Sequence, residues 1–172
     1  MKRSHINQTV IVTGASSGVG EATARHFANN GANLVLVARN QENLDRVFNE
    51  LKSVSRVITV SMDVSKFEDC ENLVKKTLAE YSSIDILINN AGYHKRGLVE
   101  ERDPSELGRM IDVNLKAPII LSRLVIPYMK NKNCAIINVA SLAGRTPVPG
   151  SSVYSSSKFG LRAFTYALAN ER

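Results

Sequence analysis

The stretch Thr13-Gly14-Ala15-Ser16-Ser17-Gly18-Val19-Gly20 separates two segments of different periodicity. Before it, residues 8–13 (Gln-Thr-Val-Ile-Val-Thr) form a continuous β-branched run, the pattern of a strand buried on both faces. After it, residues 18–30 carry helical spacing, and Gly31 stands where a helix stop belongs. Glycines let the chain turn sharply and approach a pyrophosphate closely. The helix behind them presents free N–H groups and the positive end of its dipole. The same turn can serve only to join strand to helix, and its glycines at 14, 18 and 20 depart from the G-x-G-x-x-G spacing. Its place, directly after the first strand, favours phosphate binding.

Outward from this loop the alternation repeats. Residues 33–38 read as a second strand. Residues 41–51 read as a helix whose Leu44, Val47, Phe48 and Leu51 make one apolar stripe. Residues 57–61 and 68–81 repeat the unit, and residues 84–89 make a fourth strand. A polar loop over 93–102 leads to Asp103-Pro104-Ser105-Glu106, an acidic cap with proline at the first helical position and glutamate at the third. The helix it starts is expected to run to Tyr128. A turn over 130–133, a fifth strand over 135–140, a Gly/Pro/Ser-rich loop over 141–151 and a last helix over 153–172 complete the chain. Alternating strands and helices, with continuous apolar strands, predict an α/β fold: a doubly wound parallel sheet of five strands with helices on both faces.

At 172 residues the chain is expected to form one domain, residues 1–172. Hydrophobic residues at 44% and charged residues at 22% argue against disorder or a fibrous repeat. The formal charge of +6 comes from scattered basic residues, densest at Lys2-Arg3, Lys75-Lys76 and His94-Lys95-Arg96, and aromatic residues make up 6%. That pattern reads as a solvated surface, not a nucleic-acid face. Cys70 and Cys134 fall in no CxxC or His/Cys cluster, so free thiols in a reducing compartment are expected, with no metal. Apolar runs are too short to span a bilayer, and the N-terminus does not lead into a signal-peptide core. A soluble, cytoplasmic protein with no membrane or nucleic-acid partner is the expectation.

The loop Thr13 to Gly20 resembles the TGxxxGxG cofactor loop of the short-chain dehydrogenase/reductase family. The resemblance continues in order along nearly the whole chain: Asp63 after the third strand, Asn89-Asn90-Ala91-Gly92 after the fourth, Asn114, Ser141 after the fifth strand, and Tyr154-Ser155-Ser156-Ser157-Lys158. It implies a Rossmann-like fold and a nicotinamide dinucleotide held by Gly14, Ser16, Ser17, Gly18, Gly20 and Gly92. Asp63 would contact the adenine, and Asn90 would lie along the cofactor. It also implies a small carbonyl or alcohol substrate and a homodimer or homotetramer.

Arg39 ends the second strand where an acidic residue would bind both ribose hydroxyls of NAD. A planar cation cannot accept those hydrogen bonds and suits a 2′-phosphate, to which Ser16 could add a donor. NADP(H) is therefore expected over NAD.

Tyr154 and Lys158 are four residues apart on one helix and share a face. A free phenol titrates near pH 10, too high for ready proton transfer at neutrality, and an adjacent ammonium favours the phenolate. The pair is thus suited to pass a proton to a carbonyl oxygen as hydride arrives. The resemblance adds that Lys158 holds the nicotinamide ribose and that Ser141 bonds the substrate oxygen. Pro118, four residues after Asn114, has no N–H for the Asn114 carbonyl, so a kink is expected there. In the family the matching asparagine carries a water toward the lysine, which makes Asn114 the fourth candidate catalytic residue.

Members of this family continue past the last helix with a sixth strand, a substrate-covering segment and a seventh strand, whereas this sequence ends at Asn170-Glu171-Arg172. The fifth strand is then expected to be an open edge, prone to pairing. An alternative to the enzyme is a catalytically silent nucleotide-binding or partner-binding protein built on the same half-site.

Overall fold

The computed structural model describes residues 4–130 and 133–171. Its strands are β1 (Thr9–Thr13), β2 (Asn33–Ala38), β3 (Val57–Ser61), β4 (Ile86–Asn89) and β5 (Ala135–Asn138). They form one parallel sheet in the order β3-β2-β1-β4-β5. Between them run α1 (Gly18–Asn29), α2 (Gln41–Leu51), α3 (Phe67–Tyr81), α4 (Pro104–Ile111) and α5 (Ala117–Val125), and α6 (Ser152–Asn170) follows β5. Strand order reverses at β1, which pairs with β2 on one side and β4 on the other. The crevice beyond the carboxyl ends of β1 and β4 is therefore a topological switch point, where open α/β sheets take their ligands.

The period-2 alternation of the central strands divides the core. Val10, Val12, Leu34 and Leu36 face α1 and α2, meeting Ala24, Ala28, Leu44 and Val47. Ile11, Val35, Val37 and Leu87 point the other way, onto Leu73 and Val74 of α3 and Leu121 and Val125 of α5. Two layers of helices on one sheet explain why these strands read as unbroken apolar runs. Two helix starts are capped by side chains: Asn40 accepts from the Asn43 N–H at 2.8 Å, and Asp103, the cap expected from the sequence, from the Ser105 N–H at 2.7 Å with Pro104 in the first helical position.

The structure departs from expectation at several boundaries. The fourth strand begins at Ile86, not at residue 84, and just ahead of it the Asp85 side chain accepts from the Thr9 N–H (2.8 Å). The fifth strand ends at Asn138, not at residue 140, since the Val139 carbonyl accepts from Lys158 Nζ at 2.8 Å. The helix expected to run from residue 104 to 128 with a kink near Pro118 contains a π turn, Asp112–Lys116, in which the Ala117 N–H reaches back five residues to the Asp112 carbonyl. This widened turn precedes Pro118, and a 3₁₀ turn, Ile126–Tyr128, follows α5. The turn over 130–133 and the end of the last helix lie partly outside the described residues.

Among the described residues β5 pairs only with β4, and Ile137 is 44% exposed. An apolar depression of about 370 Å³, lined by Ile126, Met129, Ile136 and Leu168, lies beside this edge.

Candidate active site

Beyond the carboxyl ends of β1, β2 and β3 opens a cleft of about 230 Å³, lined by Gly14, Ser16, Ser17, Arg39, Asp63 and Gly92 among others. Six of the residues expected to hold a dinucleotide thus share one wall system, separate from the depression at β5. Gly14 and Gly18 adopt positive φ (66° and 53°), the left-handed region that glycine enters at little cost. A Cβ on Gly20 would stand 2.2 Å from the Gly14 carbonyl oxygen, so only a bare backbone lets α1 close on the loop. Ser17 caps α1 without a side-chain hydrogen bond, which leaves the first helical N–H groups directed at the cleft's phosphate end. These features fit a pyrophosphate. Gly20→Ala is expected to destabilise the fold by about 1–3 kcal/mol through overpacking and to abolish dinucleotide binding, checked by denaturant unfolding and fluorescence titration.

The loop is braced by Thr13 and Asn90, both within the motifs quoted above, and by Arg46 of α2, which the sequence did not single out. Thr13 Oγ1 donates to the Ile88 carbonyl (3.2 Å) and accepts from the Asn90 and Ala91 N–H groups (3.0 Å each). Asn90 Nδ2 donates to the carbonyls of Thr13 (2.9 Å) and Gly14 (3.3 Å). Asn90, expected along the cofactor, is thus first a brace between β4 and the loop. Arg46 of α2 donates to the Ser16 carbonyl at 3.1 Å and grips Glu21 through two 2.7 Å bonds, while Arg25 joins Glu21 to Glu50.

Glu21 is buried, and the Arg46 hydrogen bonds, outweighing desolvation with help from Arg25, hold its carboxyl at about 2, down from 4.5. A carboxyl with a depressed folded pKa stabilises the fold above its unfolded pKa and loses that contribution as protons return. Stability is therefore expected to fall as pH drops from 4.5 toward 2, and Glu21→Gln to flatten that limb in chemical unfolding followed against pH.

At the other end of the cleft, burial pushes the Asp63 carboxyl up, but bonds from the Ser65 hydroxyl (2.8 Å) and N–H (3.1 Å) and the Arg109 cation outweigh it, leaving it below the usual carboxylate range. Arg109 donates to Asp63 at 2.8 Å and lies 5.8 Å from the Tyr93 ring centre. Arg39 is exposed at the rim, and no carboxylate among the described residues pairs with it.

Tyr154 and Lys158 sit in the first two turns of α6. Lys158 is 5% exposed, its Nζ 5.9 Å from the Tyr154 ring centre and bonded to the Val139 carbonyl, and burial lowers its pKa. The turn after Ser141 packs on this lysine, for a Cβ on Gly144 would lie 2.7 Å from the Lys158 carbonyl oxygen. Ser141 Oγ accepts from the Ala143 N–H at 3.1 Å, and no described residue takes its O–H. Asn114, in the π turn, is fully buried. Its amide accepts from the Tyr93 N–H (2.8 Å) and donates to the Tyr93 carbonyl (2.7 Å) and to Ser157 Oγ (3.2 Å). Asn114 therefore clamps the loop after β4 onto α6 and joins the dinucleotide cleft to the Tyr154 region. His94, read from sequence only as part of a basic surface group, packs its ring on Tyr154 at 4.2 Å between centres.

A switch-point cleft with a glycine-rich loop lies beside a tyrosine–lysine pair, an arrangement that fits a dinucleotide. The sequence matches the short chain dehydrogenase family over residues 8–172, and the chain belongs to that family. It is 39% identical over 166 residues to an uncharacterized oxidoreductase of Staphylococcus saprophyticus, covering 96% of this chain and 67% of that one. The fold is similar to that of a metagenomic short-chain oxidoreductase in complex with NADP (TM-score 0.92, 37% identity, 96% of this chain and 76% of the other). It is equally close to a short chain dehydrogenase/reductase of Burkholderia phymatum in complex with NAD (TM-score 0.93, 29% identity, 100% and 62%). The family acts on small-molecule substrates, and no described helix is long and apolar enough to cross a membrane.

Proposed function

We propose that this oxidoreductase moves a hydride between NADP(H) and a carbonyl or alcohol, with Tyr154 as general acid and base. The observation that carries this reading is the clamp at Asn114, which brings the glycine-loop cleft and the Tyr154–Lys158 helix face together through Tyr93 and Ser157.

Gly14, Ser17 and the free N–H groups of α1 hold the pyrophosphate, Asp63 meets the adenine, and Arg39 with Ser16 takes the 2′-phosphate. When bound there, the nicotinamide ring supplies or accepts the hydride. Ser141 donates its free O–H to the substrate oxygen, and Tyr154 passes that oxygen a proton, or removes one in the reverse direction. Lys158 holds the nicotinamide ribose and keeps a cation beside the phenol. Asn114 positions Tyr93 and Ser157, and its main-chain carbonyl, for which Pro118 has no N–H, holds a water leading toward Lys158. Two free cysteines suit a reducing, cytoplasmic setting.

The test is NADPH oxidation with a panel of ketones, native protein against Tyr154→Phe. Turnover by the native protein alone supports the reading. Dinucleotide binding with no turnover by either assigns the chain to nucleotide binding without catalysis.

A further inference from the structure

The loop after β4 carries three consecutive basic residues, and the structure separates their roles. Lys95 is engaged by Glu106 at 2.6 Å, and the Arg96 side chain runs along Gly150, its Nε 3.6 Å from where a Cβ there would stand. His94 does neither. Its ring lies on Tyr154, centres 4.2 Å apart with planes at 37°. One nitrogen, Nε2, is hydrogen-bonded to Ser151 Oγ at 3.1 Å, and Ser151 is a buried residue directly before α6. The backbone beside it is fixed by the two hydrogen bonds between the Asn114 side chain and the Tyr93 main chain and by the Gly97 N–H on the Gly150 carbonyl (2.8 Å). Nδ1 has no partner among the described residues, and the residue is exposed.

A surface histidine on a polar loop has no need to be held from three sides. This one holds its ring against that of Tyr154, whose phenol, on the reading above, meets the substrate carbonyl. Pre-orientation matters because a hydrogen bond to an immobilised group costs less ordering on binding. A ring held there borders the space that, on the same reading, surrounds the carbonyl. We infer that His94 is a specificity-determining residue, whose Nδ1 hydrogen-bonds an oxygen substituent adjacent to the reacting carbonyl, so that hydroxyketones and related oxygenated carbonyls are preferred to simple ketones. The inference rests on the proposed carbonyl reductase activity. Either Nδ1 state serves: protonated it donates to a second carbonyl, and unprotonated it accepts from a hydroxyl.

Butan-2-one and 1-hydroxybutan-2-one differ by one hydroxyl and separate the possibilities. With NADPH, native protein is expected to favour the hydroxyketone about 10-fold in kcat/KM, the effect of one hydrogen bond, mainly through KM. His94→Phe, which keeps a ring on Tyr154, is expected to erase that preference while butan-2-one turnover stays near native. Equal losses on both substrates, or no native preference, overturn the inference. If native protein reduces neither ketone, the activity reading fails and binding decides. Hydroxyketone added to the NADPH-saturated protein should shift the His94 imidazole NMR signals, and butan-2-one should not; no difference between the two overturns the inference. The spectrum of the His94→Phe variant assigns the signals and shows that it folds.

Discussion

Replacing Tyr154 by phenylalanine is expected to lower carbonyl reduction about 10³-fold while leaving NADPH affinity close to native. The substitution removes one oxygen and keeps the ring, so the stacking on His94 and the packing at the start of α6 survive. Lys158 stays bonded to the Val139 carbonyl, and the cleft proposed to hold the dinucleotide is lined by other residues. What disappears, on the proposed mechanism, is the proton source for the developing alkoxide. The check is steady-state and single-turnover kinetics beside a fluorescence titration of NADPH. Loss of rate and affinity together would assign Tyr154 to cofactor binding, and an unchanged rate would remove it from the chemistry.

Arg39→Asp is expected to weaken NADPH binding by about 100-fold and to strengthen NADH binding. Hydrogen bonds to charged groups contribute about 1.5–3 kcal/mol, and the variant both removes such a donor and sets a carboxylate against the 2′-phosphate. The same carboxylate can accept from the two ribose hydroxyls of NADH, a bond arginine cannot make. Arg39 has no carboxylate partner among the described residues, so its removal exposes no buried charge and should leave stability near native. Binding constants for both dinucleotides, at two salt concentrations, test this. A native protein that binds NADH as tightly as NADPH, or a variant that loses both equally, would reject Arg39 as the selectivity residue. The Glu21–Arg46 pair bears on the same experiment. It neutralises an acid near Ser16 and holds the Ser16 carbonyl, so the field at the phosphate end is set by the loop and Arg39.

The fold was legible because its signals are local. Residues 33–38, 41–51 and 57–61 fall where their periodicity put them, since strand and helix differ in repeat and a buried sheet demands continuous apolar runs. The phosphate loop was legible for a similar reason: glycine spacing, strand and helix are adjacent in the chain. Errors came where side chains from elsewhere intervene. Lys158 takes the Val139 carbonyl just past the end of β5, and the Asp85 side chain takes the Thr9 N–H just ahead of β4. Neither effect has a periodicity.

Residue types and spacing alone determined the doubly wound sheet, the cleft's glycines, the exposed cation at its rim and the tyrosine–lysine face of the last helix. Tertiary structure decided which distant residues meet them. The Asn114 clamp, the Arg109–Asp63 pair and the ring of His94 on Tyr154 join positions 21 to 60 residues apart in the chain. Such contacts depend on crossover geometry and side-chain direction, which no local pattern encodes.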